Sequence, residues 1–129
     1  MNIVDTSGWL EYFTHGSRTN SFKKPIEDVK NLIVPSICIY EVFKKTLQSF
    51  EEKKALEIVA VMRTAKVVDL DDQMAFSAAS LSYKLKLPMA DSIILATAQE
   101  YKATIWTMDA DFKGLPGINY VAKIHSRNN

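Results

Sequence analysis

Asp5, Glu41, Asp91 and Asp109 each interrupt an apolar or small-residue stretch: Ile-Val-Asp-Thr-Ser, Ile-Tyr-Glu-Val-Phe, Met-Ala-Asp-Ser-Ile and Thr-Met-Asp-Ala-Asp. A carboxylate beside hydrophobic runs is costly to bury unless something positive neutralises it. Clustered carboxylates also raise one another's pKa, and proteins use such clusters to hold hard divalent cations. Mg²⁺ or Mn²⁺ suits the set, because Mg²⁺ keeps several of its waters instead of entering an all-protein cage. Zinc does not fit: Cys38 is the one cysteine, and His15 and His125 lie far apart without ligand spacing. No strong nucleophile stands out. The economical chemistry is hydrolysis by a metal-activated water, with one or two ions about 3.5–4 Å apart stabilising the attacking and leaving oxygens of a phosphodiester.

These acids need elements that bring them together. Residues 2–5 read as a short buried strand ending at an acid, followed by a helix carrying Trp9, Leu10 and Phe13. A loop over 15–20 precedes a polar helix over about 21–30. Leu32 to Val34 form a second strand, closed by Pro35, with Ser36 as the expected N-cap of a helix running to about Ser49. Residues 50–63 read as another helix and Ala65 to Leu70 as a third strand. Asp71 then caps a helix whose apolar stripe is Met74, Ala78, Leu81 and Leu85. Pro88 suits the first turn of a helix lined by Ala90, Ile94, Ala98 and Tyr101. Thr104 to Thr107 read as a fourth strand and Tyr120 to Ala122 as a weak fifth.

Strands alternating with helices, with no hairpin signal, imply a parallel sheet covered on both faces. In such sheets ligands bind at the carboxyl ends of the strands, where strand order switches. Asp5 ends the first strand, Asp109 follows the fourth, and Glu41 and Asp91 lie near the N-termini of their helices. All four therefore belong at one edge of the sheet.

Composition leaves this reading intact. The 129 residues make one domain, with 47% hydrophobic and 24% charged residues, ordinary values for a soluble globular chain. The net charge of +1 provides no molecule-wide field, so attraction to a polyanion would have to be local. A lone cysteine in an apolar run suits a reducing compartment, and no apolar stretch is long enough to span a membrane. Both observations favour the cytoplasm. The sequence carries no internal repeat, low-complexity tract or linker.

Four blocks then carry a resemblance: Met-Asn-Ile-Val-Asp-Thr-Ser, Pro-Ser-Ile-Cys-Ile-Tyr-Glu-Val, Leu-Pro-Met-Ala-Asp-Ser-Ile-Ile-Leu-Ala-Thr-Ala and Ile-Trp-Thr-Met-Asp-Ala-Asp-Phe. In this order, over essentially the whole chain, they resemble the motifs of PIN-domain ribonucleases, most closely the VapC-type toxins of toxin–antitoxin pairs. The resemblance implies a five-stranded parallel sheet in a three-layer α/β/α sandwich. It implies Mg²⁺- or Mn²⁺-dependent cleavage of RNA, a homodimer, and a small antitoxin that blocks the site. By motif position Asp5, Glu41, Asp91 and Asp109 match the family's acidic quartet, Thr6 and Thr107 its neighbouring hydroxyls, and Asp111 a fifth acid that competes with Asp109.

Plainer roles exist for each residue. Asp5 could cap the helix that follows, Asp91 could complement a helix dipole, and Glu41 could pair with Lys44 and Lys45 at i+3 and i+4. Arg18, Lys23, Lys24, Lys44, Lys45, Lys84, Lys86 and Lys113 are either phosphate contacts or solvated surface. Trp9, Tyr12 and Phe13 could stack bases or pack the core, Trp106 reads as core, and the histidines read as surface. Rival functions are an RNA-processing or DNA-directed nuclease on the same fold, a non-catalytic nucleic-acid-binding module, and a phosphotransfer domain. The last would favour Asp-x-Asp at the first strand, where this chain has Asp5-Thr6-Ser7.

Overall fold

The computed structural model describes residues 1–123, and His125 lies outside them. Its strands are β1 (Asn2–Val4), β2 (Leu32–Pro35), β3 (Lys66–Val68), β4 (Thr104–Thr107) and β5 (Ile118–Tyr120). All pair in parallel in the order β3-β2-β1-β4-β5. The helices among the described residues are α1 (Thr6–Phe13), α2 (Thr19–Glu27), α3 (Ser36–Ser49), α4 (Glu52–Met62), α5 (Asp72–Leu85) and α6 (Met89–Tyr101). They cover the sheet as a three-layer α/β/α sandwich, the architecture expected.

Strand composition explains the layering. Every residue of β2 is buried, and Ile3 and Val4 of β1 and Ile105 of β4 are fully buried, as a sheet covered on both faces requires. Trp9 and Phe22 from α1 and α2, Cys38 and Val42 from α3, and Ile94, Leu95 and Ala98 from α6 complete the main core. Met74 and Ala78 of α5 pack with Ile93 and Ala96 of α6 in a smaller cluster, joined by half-buried Leu81, whereas Leu85 at the end of the predicted stripe is exposed. Trp106 is half-buried rather than core, its Nε1 donating to Asn2 Oδ1 at 2.9 Å.

The path of the chain sets the position of the site. It runs outward from β1 through β2 to β3, then returns through α5 and α6 to β4 on the other side of β1. Strand order therefore reverses between β1 and β4, and reversals of this kind open a crevice at the strands' carboxyl ends.

Several boundaries differ from the sequence reading, among them β3, which spans only Lys66–Val68. Helix α2 begins at Thr19, not 21, because the Thr19 hydroxyl donates to Gly16 O at 2.7 Å and so fixes the preceding turn. It ends at Glu27, and a short 3₁₀ turn (Val29–Asn31) leads into β2. Ser36 is the first residue of α3, after Pro35, and makes no side-chain cap. Strand β5 lies two residues earlier than expected, with Ile118 paired to Ile105.

Gly8 lies against the filled core of this frame. A Cβ there would come within 2.6 Å of Val4 Cγ1 and 2.7 Å of the Phe22 ring, both fully buried. Alanine is the better helix former by about 1 kcal/mol, but overpacking a filled core costs about 1–3 kcal/mol. Gly8→Ala should therefore lower stability by about 1 kcal/mol, measured as a fall in the urea midpoint at unchanged slope. A raised midpoint would contradict this packing.

Candidate metal centre

Strand register assembles the first part of the site. Val4 pairs with Trp106, so Asp5 and Thr107, one residue further along each strand, stand side by side on one face. Thr107 Oγ1 donates to Asp5 Oδ2 at 2.6 Å and accepts the Asp109 N–H at 2.8 Å. Asp5 Oδ1 accepts from the Ser7 hydroxyl at 2.7 Å and from the Gly8 N–H at 3.0 Å. Ser7 in turn accepts the Met108 N–H at 3.0 Å. Two hydroxyls thus tie the end of β1 to the segment after β4. The capping role weighed for Asp5 is real: it is the N-cap of α1. Capping uses Oδ1 and leaves Oδ2 to the Thr107 hydroxyl.

Asp5 is 2% exposed. Burial lifts its carboxyl from 3.8 to about 6, although the hydrogen bonds from Thr107, Ser7 and Gly8 favour the charged form. The nearby charge of Asp109 adds to the rise.

The second part comes from α6 and the segment after β4. Asp91 lies in the first turn of α6. Asp109 caps a 3₁₀ turn (Ala110–Phe112), its Oδ1 accepting the Asp111 N–H at 2.9 Å. One carboxylate oxygen from each of Asp91, Asp109 and Asp111 lies within 4.8 Å of the other two. Partial burial and then the charge of Asp109 raise the Asp91 carboxyl to about 8, and a hydrogen bond with Asp109 and the charges of Asp5 and Asp111 add to it. Asp109 and Asp111, which compete by spacing, both belong to this trio.

Glu41 occupies the remaining side. Its Oε1 accepts the Thr6 hydroxyl at 2.6 Å, joining α3 to α1. Beneath lies Cys38, fully buried, its thiol pushed up by burial and then by the charges of Asp5 and Glu41. The charge of Asp91 acts on the same thiol in the same direction. Neither Asp5 nor Glu41 is part of the 4.8 Å trio. A raised thiol pKa leaves Cys38 protonated and unreactive, as a buried small hydrophobe should be.

Ser7 is the participant that the sequence reading passed over. An Asp-x-Ser sequence at a strand-to-helix junction was the available signal, since a serine there can bond the capping carboxylate. Its bond to Met108, 101 residues away, has no local signature. Among the aromatic residues weighed for stacking, Trp9 is buried and stacked on Phe13 with ring centres 5.8 Å apart, which removes it as a base platform.

The donor set fits a hard divalent cation. Mg²⁺ takes oxygen ligands at about 2.0–2.1 Å, which places any two ligands about 3–4 Å apart. The trio, with oxygens within 4.8 Å, needs only slight contraction to meet that spacing. Carboxylates pressed together with raised pKa values are also what a cation would relieve.

An acid-lined crevice where a parallel sheet reverses its strand order defines a class of α/β protein. The PIN domain family model matches residues 3–118, and the chain belongs to that family. The structure is similar to one of a toxin–antitoxin complex from Klebsiella pneumoniae, at 25% sequence identity, covering 92% of this chain and 96% of that one, with a TM-score of 0.75. It is similar in fold to VapC20, the sarcin–ricin loop cleaving toxin of Mycobacterium tuberculosis, at 13% identity, 91% and 96% coverage and a TM-score of 0.77. It is likewise similar in fold to VapBC2 from Rickettsia felis, solved with a DNA fragment from its promoter, at 15% identity, 94% and 97% coverage and a TM-score of 0.72. No curated protein matches the sequence.

The raised carboxyls give pH dependence a definite sign. Folded Asp5 and Asp91 hold their protons to about 6 and about 8, above the ordinary 3.8. Their contribution to stability is therefore complete below pH about 4 and is lost as pH rises through about 6 and about 8. A cation competes with the same protons, so its stabilising effect grows over that interval. The difference in Tm between Mg²⁺ and EDTA should widen from about pH 5 to about pH 8.5 in a thermal-shift series. A difference that stayed flat or narrowed would place the cation elsewhere.

Proposed function

We propose that this chain is a metal-dependent endoribonuclease, a VapC-type toxin of a toxin–antitoxin pair, acting as a single domain over residues 1–129. The observation that carries the reading is the convergence of Asp91, Asp109 and Asp111 within 4.8 Å at the carboxyl edge of the sheet. Asp5, Glu41, Asp91 and Asp109 would hold Mg²⁺ or Mn²⁺, with Thr6, Thr107 and Asp111 in support. A divalent ion held there supplies Lewis acidity that lowers the pKa of water and offsets charge on a phosphodiester. The protein's own work is orientation. Thr107 and Ser7 fix both oxygens of Asp5, Thr6 fixes Glu41, and the Asp111 N–H fixes Asp109.

The family match supports a nuclease, and the likeness to a toxin–antitoxin complex supports a small antitoxin as partner. Tyr83 and Met89 are 79% and 71% exposed along the apolar groove between α5 and α6, and Phe76 of α5 is 76% exposed. Large exposed apolar side chains so grouped support a homodimer. Among the described residues no helix is long and apolar enough to cross a membrane, which accords with a cytoplasmic setting.

Asp5→Asn and Asp91→Asn should each slow Mg²⁺-dependent cleavage of RNA by at least ~10²-fold, the scale of losing one preorganised electrostatic group. Circular dichroism should show the fold retained, and light scattering of the wild type should give twice the chain mass of 14.6 kDa. Cleavage at the wild-type rate by either variant would overturn the assignment.

A further inference from the structure

One surface feature begins at the acids and continues away from them. Thr6 and Glu41 form the end of a groove between α1 and α3 whose walls include Leu10, Tyr40, Lys44 and Lys45. Both lysines are exposed and Tyr40 is 59% exposed. Glu41 takes its hydrogen bond from Thr6, while the Lys44 ammonium lies over the Tyr40 ring, 5.8 Å from its centre. The groove therefore presents two cations and a ring face directly beside a site acid.

Lys123 lines another depression with Ser7 and Met108, and the remaining cations among the described residues are engaged or lie farther off. Arg18 Nε donates to Ala122 O at 2.9 Å, and Lys86 and Lys113 lie over Tyr83 and Tyr120. Lys23 lines a separate depression with Tyr12, Phe13 and Glu27. The whole chain carries a net charge of only +1, and the crevice itself is acidic. A polyanion approaching the crevice needs positive charge at its margin, and the groove places it there. An exposed ring beside two cations suits a strand whose bases are unpaired, because the bases of a duplex are already stacked and paired.

We propose that the α1–α3 groove holds single-stranded RNA to one side of the scissile phosphate, with Lys44 and Lys45 contacting neighbouring phosphates and Tyr40 stacking on an unpaired base. This rests on the nuclease reading above and adds the path and the contacts of its substrate.

The test is fluorescence anisotropy with a labelled oligouridylate of about 12 nucleotides, within the span of known single-strand sites. It uses the full chain carrying Asp91→Asn, so that turnover does not intervene. Adding Lys44→Ala and Lys45→Ala together should weaken binding at least about 10-fold. It should also flatten the plot of log affinity against log salt by about 1.4, two phosphate contacts at about 0.7 each. Tyr40→Ala should weaken binding about 5-fold or more, and Tyr40→Phe should restore it, because the ring stacks and the hydroxyl does not. Lys23→Ala with Lys24→Ala, outside the groove, should leave both quantities unchanged.

Wild-type affinity and salt slope in the Lys44/Lys45 variant would overturn the proposal. So would an equal loss in the Lys23/Lys24 variant, or equally tight binding of a duplex. A Lys44/Lys45 variant that bound the strand normally but no longer bound its protein partner would assign the groove to that partner instead. Strand binding with the expected dependences, by a wild-type protein that leaves the strand uncut, would keep the groove and remove the nuclease reading.

Discussion

Carboxylates drawn to one sheet edge repel one another, and the architecture around that edge resists the repulsion. Asp5 adds burial to the problem: it is almost fully buried, which raises its pKa, and the nearby charge of Asp109 raises it further. The response is covalently simple. Thr107 and Ser7 each donate a hydroxyl to Asp5 and accept a backbone N–H from the segment after β4. Those bonds satisfy Asp5 and, in the same geometry, fix where Asp109 and Asp111 must stand. Register supplies the rest, since pairing Val4 with Trp106 is what sets Thr107 beside Asp5.

A site of this kind is preorganised rather than relaxed. Its acids sit close together at the expense of raised pKa values, about 6 for Asp5 and about 8 for Asp91. Binding a cation would recover that cost, which links metal affinity to the unfavourable electrostatics of the metal-free fold. The surroundings keep the tension local. Below the acids lies an inert thiol, Cys38, and above them a crevice opens where the strand order reverses between β1 and β4. The exposed lysines of α3 begin one turn beyond Glu41, so opposite charge is available at the margin without neutralising the centre.

Much of this was legible in the residues because the strong signals were periodic or punctuated. The alternation of short apolar runs with helical stripes gave the parallel sheet, and Asp71 capped α5 as its position suggested, accepting the Met74 N–H at 2.8 Å. Asp91, Asp109 and Asp111 come together because the start of α6 and the segment after β4 share one edge. Weak signals failed where tertiary contacts decide. Strand β5 has three residues, too few for alternation to mark its ends, so pairing with β4 sets its position. The start of α2 depends on Glu11, whose carboxylate accepts the Arg18 N–H at 2.6 Å, and on Thr19. Asp109 and Asp111 could not be separated by spacing, because a 3₁₀ turn folds both toward Asp91. Ser7 escaped notice because its partner Met108 is 101 residues away.

The central claim is that these carboxylates form one cation site. Titration of Mn²⁺, followed by the loss of its free-ion electron paramagnetic resonance signal, tests it without any need for turnover. Wild-type protein should take up Mn²⁺, and Asp109→Asn should weaken uptake at least about 10-fold, as loss of a ligand-supporting group does. Asp71→Asn, a helix cap away from the crevice, should leave it unchanged. Uptake by Asp109→Asn equal to that of the wild type would contradict the account.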